Sequence, residues 1–270
     1  YGQLGNGQTS DNATPQDVIG ISTATKVYAG KYHTCALLQD GSMKCWGRRI
    51  EGQLGDGTTS PQTTPVEVEN LTNTTDLSVG WYHSCVRRSS GQVSCWGKNN
   101  KGQLGIGSTS TDSSVVNSSG ISSATQVSAG YEHTCATLSN GTVKCWGEGG
   151  YGRLGNGQTS DNSTPVSVNS ISSAAQVSAG NQHTCARLSN GTVQCWGRGS
   201  SGKLGNSSTG DQSSPVSVTG ISSVTKISAG DYHTCAHKTG NTVWCWGSAG
   251  SYRLGNGDTL YRARPVQVGQ

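Results

Sequence analysis

The sequence predicts an all-β fold, a β-propeller of four-stranded blades, on three observations. The string Cys-Trp-Gly ends at Gly47, Gly97, Gly147, Gly197 and Gly247, a 50-residue repeat kept without insertion or deletion. Periods of roughly 40–50 residues mark propellers and solenoids, in which a small unit is stacked until its faces are covered. Each copy holds four short β-type segments set off by turn residues, with no helical spacing, and one pair of cysteines at a fixed separation.

The copy at residues 21–70 shows the elements in order. Thr25 to Ala29 alternates, carries a β-branched and aromatic bias, and stops at Gly30, which reads as a first strand. His33 to Leu38 reads as a second strand and Ser42 to Trp46 as a third. The three residues Gln39-Asp40-Gly41 join them as a hairpin loop with the glycine left-handed. A long loop follows with Gly52-Gln53-Leu54-Gly55. Pro65 to Val68 is then a short fourth strand, its proline suited to a strand start or an edge. Leu54 and its counterparts Leu4, Leu104, Leu154, Leu204 and Leu254 are the large apolar residues fixed in that loop. They are expected, with the repeated Trp, to fill the gap between blades.

The hairpin register pairs residue 37 with 43, 36 with 44 and 35 with 45, which sets two cysteines opposite each other across the ladder. The predicted disulfides are Cys35–Cys45, Cys85–Cys95, Cys135–Cys145, Cys185–Cys195 and Cys235–Cys245. Zinc sites and thioredoxin-like pairs use closer spacings than this. Each bond closes a short loop and contributes roughly 2–3 kcal/mol. Five of them imply an oxidising compartment, so the expected location is extracellular or on a cell surface. Eight Asn-x-Ser/Thr sequons, at Asn12, Asn70, Asn73, Asn117, Asn140, Asn162, Asn190 and Asn206, fit that setting, although a chain this rich in Asn, Ser and Thr generates them by chance.

Composition explains the need for bridges. Leu, Ile, Val and Phe supply only 42 of the 270 residues, so Trp and Cys must replace aliphatic bulk. The formal charge of +4 is thinly spread and argues for neither nucleic acid nor an anionic membrane. No apolar run is long enough to insert into a bilayer. The chain opens at Tyr1 in mid-repeat with no secretory signal, the mark of a processed product or a piece of a longer polypeptide.

Four strings together carry a family likeness: Ser-Ala-Gly-x-x-His-Thr-Cys-Ala, Asn-Gly-Thr-Val-x-Cys-Trp-Gly, Gly-Gln-Leu-Gly-Asn-Gly and Thr-Pro-Val-x-Val. Across its whole length the chain resembles the regulator of chromosome condensation repeat family. The resemblance implies a propeller of four-stranded blades, most often seven. Family roles range from a nuclear guanine-nucleotide exchange factor through ubiquitin-ligase subunits to secreted bacterial propellers, some of which inhibit β-lactamase. Paired cysteines and compact units are most similar to the bacterial and extracellular branch. No copy holds an insertion that would form the wedge of an exchange factor.

The expected organisation is one repeat domain, 1–270, with complete blades at 21–70, 71–120, 121–170, 171–220 and 221–270. Residues 1–20 are a partial repeat, a long loop and a spare fourth strand at 15–20. The last copy already ends in Pro265-Val266-Gln267-Val268, so the spare strand implies either missing upstream repeats or pairing with a neighbouring chain.

The sequence offers no catalytic set, no metal site and no cofactor loop. The repeated His33, His83, His133, His183 and His233 lie one per blade and are expected to hold the turn after Ala-Gly. The Gly-x-Gly strings do not lead into helices. Internal repeats act as their own controls, and the two residues before each histidine vary freely: Lys31-Tyr32, Trp81-Tyr82, Tyr131-Glu132, Asn181-Gln182 and Asp231-Tyr232. Aromatic residues at positions without scaffold duty suggest a binding face. A second variable set follows Cys-Trp-Gly, as in Arg48-Arg49-Ile50-Glu51, Lys98-Asn99-Asn100-Lys101 and Glu148-Gly149-Gly150-Tyr151. The expected function is a non-enzymatic extracellular module that binds a protein or glycan. Two alternatives are a structural subunit binding copies of itself through the spare strand, and a secreted enzyme inhibitor.

Overall fold

A computed structural model describes residues 1–60 and 62–269. Five antiparallel sheets, each of four strands in sequence order, follow one another along the chain. The first consists of Ala24–Ala29, His33–Leu38, Met43–Gly47 and Gln62–Glu67. First strands contact the first strands of neighbouring blades, and the opening they surround is lined by residues of all five units. The first strand is therefore innermost and the fourth lies on the rim.

The hairpin register is as expected, with Leu37 opposite Met43, Ala36 opposite Lys44 and Cys35 opposite Cys45. All five disulfides are formed, and nine of their ten cysteines are buried. The sulfur joins the core rather than merely stapling it. Cys35, Cys45, Met43 and Leu54 of blade 1 pack on Leu77, Val86 and Trp96 of blade 2, and the same arrangement recurs at the next three junctions. The apolar centre of each unit thus lies between blades, where loop leucine and tryptophan meet as expected.

Two strands depart from expectation. The fourth runs Gln62–Glu67 rather than from Pro65, because its ladder to the third strand continues past a bulge, with Cys45 opposite Val66 and Gly47 opposite Gln62. Pro65 falls in that bulge on a rim strand, where no N–H is needed. The spare strand at 15–20 is not formed, and the first strand of the chain begins at Ala24. Every fourth strand pairs with the third strand of its own blade, and residues 1–20 have no such partner. They pack on blade 1 instead: the Trp46 indole donates to the Gln3 carbonyl at 2.9 Å, and Val18 lies against the cluster of Ala36, Leu38 and Trp46.

The histidines do a different job from the one expected. The main chain holds the turn, through the Gly30 amide donating to the His33 carbonyl at 2.9 Å. The imidazole reaches the next blade. Nε2 of His33 lies 2.8 Å from Ser84 Oγ, and His83, His133 and His183 meet Thr134, Thr184 and Thr234 at 2.7–2.9 Å. Thr134 Oγ1 is also 2.8 Å from the Gln103 carbonyl, which can only accept. The hydroxyl spends its one proton there, so His83 must donate from Nε2, and a second proton on the ring would be sealed in without an acceptor. Its Nδ1 has no partner. Burial pushes His33, His83 and His183 down to about 3, in keeping with permanent neutrality.

Candidate functional site

The first-to-second-strand turns and the loops after Cys-Trp-Gly emerge at one end of the propeller. In blade 2 the Lys98 amide donates to the Tyr82 carbonyl at 3.0 Å, tying the two variable segments together. The turn is also docked sideways: Trp81 N donates to Gly130 O at 3.4 Å, Tyr131 N to Gly180 O at 3.2 Å and Asn181 N to Gly230 O at 3.3 Å. Such an approach requires glycine. A Cβ on Gly80 or Gly130 would stand 2.5 Å from the carbonyl oxygen of the following glycine. Main-chain atoms alone therefore place these turns, which leaves their side chains free to differ.

Blades 1 to 3 use that freedom for aromatic residues. Tyr32 stacks on Tyr82 at 5.3 Å between centroids, and Trp81 meets Tyr131 edge to face at 4.3 Å. Tyr82 and Tyr131 are 6.1 Å apart, and Tyr1 closes the far end against Tyr32 at 6.4 Å. Cations thread the cluster. Lys31 Nζ stands 3.2 Å from the Trp81 centroid, Arg48 lies 5.2–5.5 Å from the rings of Tyr1, Tyr32 and Tyr82, and Lys98 caps Tyr82 at 4.9 Å. Lys98 pairs with Glu132, and Arg48 with Glu51 at 2.8 Å. Burial raises the Tyr82 phenol to about 12 and also raises Tyr131, so both stay neutral donors at physiological pH.

The predicted face thus divides. Lys31, Tyr32, Trp81, Tyr82, Tyr131 and Glu132 form one continuous cluster, whereas Asn181, Gln182, Asp231 and Tyr232 are on the same end but outside it. Asn181 is buried, Gln182 accepts from Arg198 at 2.7 Å, and Tyr232 is half-exposed beside Arg253. Sequence reasoning missed Tyr1, which sits in the partial repeat, and gave no role to Arg48 and Lys98. Their place after Cys-Trp-Gly was the available signal. The axial opening, about 350 Å³, is lined by alanine and glycine, with Lys31, Trp81 and Asp231 beside it. Among the described residues, no three of His, Cys, Asp and Glu gather in a way that would hold a metal ion.

Comparison with known proteins bears on the fold. Human WBSCR16 superimposes with a TM-score of 0.83 at 20% identity, covering 92% of this chain and 67% of that one. Yeast RCC1 (Prp20), solved bound to Kap60, gives 0.78 at 18% identity, covering 92% of this chain and 61% of its own. The receptor kinase CR4 ectodomain from Physcomitrella patens gives 0.54 at 23% identity, over 83% of this chain and 52% of that one. At such identities the likeness is one of fold, and this chain spans only part of each relative. Among curated proteins, none matches the sequence. The match to the RCC1-like domain runs over residues 1–270, so a disulfide-bridged propeller built of this repeat, read first from Cys-Trp-Gly spacing, belongs to the RCC1-like domain family.

Proposed function

We propose that this chain is a non-enzymatic binding module, active in an oxidising compartment, that grips a protein partner through the aromatic end of blades 1 to 3. The observation carrying this reading is the run of five rings from Tyr1 to Tyr131, interleaved with Lys31, Arg48 and Lys98. Tyr, Trp and Arg are the residue types that dominate binding energy at protein interfaces, since they offer large contact area with few rotamers to freeze. The turns beneath them are fixed by backbone bonds, so the face is organised before a partner arrives. Yeast RCC1 bound to Kap60 supports protein recognition as a use of this fold. Five disulfides support the compartment. Secreted enzyme inhibition is a narrower form of the same reading, with an enzyme as the partner.

The test compares the native chain with the triple variant Trp81→Ala, Tyr82→Ala, Tyr131→Ala against extracellular proteins and against a glycan array. A protein ligand held by the native chain and lost by the triple variant, with circular dichroism and disulfides unchanged, supports the proposal. Equal binding by both proteins removes the aromatic face from consideration. Binding confined to glycans replaces the protein partner with a carbohydrate.

A further inference from the structure

A second feature lies on the same end of the propeller, in blades 4 and 5, and depends on none of the aromatic cluster. The residue before the loop leucine is Gln3, Gln53, Gln103, Arg153, Lys203 and Arg253 in successive units. Its carbonyl accepts a serine or threonine hydroxyl of the next blade at 2.8–3.3 Å in Gln53, Gln103, Arg153 and Lys203, and also the indole N–H at 2.9 Å in the first three. The side chain changes.

In the glutamine copies the amide is satisfied within its own loop, Gln53 accepting from the Glu51 amide at 3.0 Å and Gln103 from the Lys101 amide at 2.9 Å. Arg153 is 1% exposed, and Glu148 answers its charge at 2.6 Å. Lys203 is 3% exposed, yet the residue at the position of Glu148 is now Arg198. No acceptor and no carboxylate reaches the Lys203 ammonium among the described residues, although Nζ is not one of the sealed-in polar atoms. Asp211 and Asp231 are the acidic groups whose charges reach it, and neither forms an ion pair. Arg198 makes one bond, to Gln182, and lies 4.8 Å from the Tyr151 ring. Tyr232 is flanked by Lys203 at 5.8 Å and Arg253 at 5.1 Å. Burial, and next the charge of Arg198, lower the Lys203 ammonium to about 8, so it is still mostly charged at neutral pH.

A buried cation without a counter-ion is unfavourable, and here a second cation stands where the neighbouring unit places the neutralising glutamate. We propose that Lys203 and Arg198, with Tyr232 beside them, form a seat for an oxyanion, a carboxylate or phosphate group brought by a ligand. Lysine supplies a point charge there and arginine a planar donor edge, the combination suited to such groups.

The experiment follows amide NMR shifts of the full chain during titration with inorganic phosphate and, separately, with N-acetylglutamate, at constant ionic strength. Saturable shifts at Arg198, Lys203 and Tyr232 are expected with at least one probe, and the probe that works fixes the ligand class. Arg198→Glu recreates the Arg153–Glu148 arrangement and Lys203→Gln recreates that of Gln53, so both place residue types the scaffold already carries there. Each is expected to weaken binding about tenfold or more. The absence of saturable shifts with either probe would overturn the proposal, and so would shifts that persist unchanged in both variants. Neither result touches the aromatic cluster, whose test uses different residues.

Discussion

A hydroxyl has a single proton, and in Thr134 that fact decides the state of a histidine in the neighbouring blade. The Gln103 carbonyl takes the proton, so His83 must donate from Nε2, and the second proton of a charged ring would sit on a buried Nδ1 that has no partner. Thr134→Val removes the relay while conserving shape, and is expected to cost about 1–3 kcal/mol in urea unfolding. The same geometry makes the fold acid-sensitive. His33, His83 and His183 titrate near 3 in the folded chain against 6.5 when free. As pH falls below the free value, the unfolded chain binds protons that the folded chain refuses, so stability present above that pH is lost toward 3. Each histidine then contributes a loss of up to about 1.4 kcal/mol per pH unit. Urea midpoints measured between pH 7.5 and 5 should fall, and a flat profile would contradict the neutral lock.

At the scale of the strand and turn, close approach at glycine carries more of the architecture than side-chain packing suggests. Gly130→Ala would push a methyl group to 2.5 Å from the Gly180 carbonyl and separate blades 3 and 4 locally. A loss of about 2 kcal/mol or more in thermal or urea unfolding is expected, since backbone clashes relax poorly. Gly20→Ala, where nothing lies within 4 Å, tests the conformational cost of a left-handed glycine without any clash. Elements with an internal signal were legible in the sequence. His33–Leu38 follows from alternation, and the cysteine register from the turn residues between the two strands. The start of the fourth strand was not, because Gln62 pairs through backbone beyond a bulge, and Gln62, Thr63 and Thr64 carry no apolar pattern. Residues 15–20 have strand-like chemistry but are not paired within this chain, and a strand exists only as half of a pair. Variation between repeats located the turns that carry the aromatic cluster, yet it could not foresee that Tyr1 joins them or that Lys203 is buried without a counter-charge.

Across the whole molecule, stability is distributed by neighbours, as in any linear array of units. The inner strand of blade 1 is largely exposed, with Val27 at 62%, while the corresponding strands of blades 3 and 4 have buried positions at both ends and in the middle. The histidine contacts run from blade 1 to blade 5 and stop there, leaving His233 half-buried. Hydrogen exchange of the unreduced 270-residue chain should therefore show a gradient, slowest in blades 3 and 4 and fastest in Ala24–Ala29. Uniform protection across all five units would mean that the sheets open together. The glycine-docked turns carry one consequence further. Because peptide groups alone anchor Trp81 and Tyr131, surface identity is uncoupled from scaffold integrity. A descendant of this chain can change the surface it presents by rewriting two letters per blade, and the folding machinery beneath has no vote in the choice.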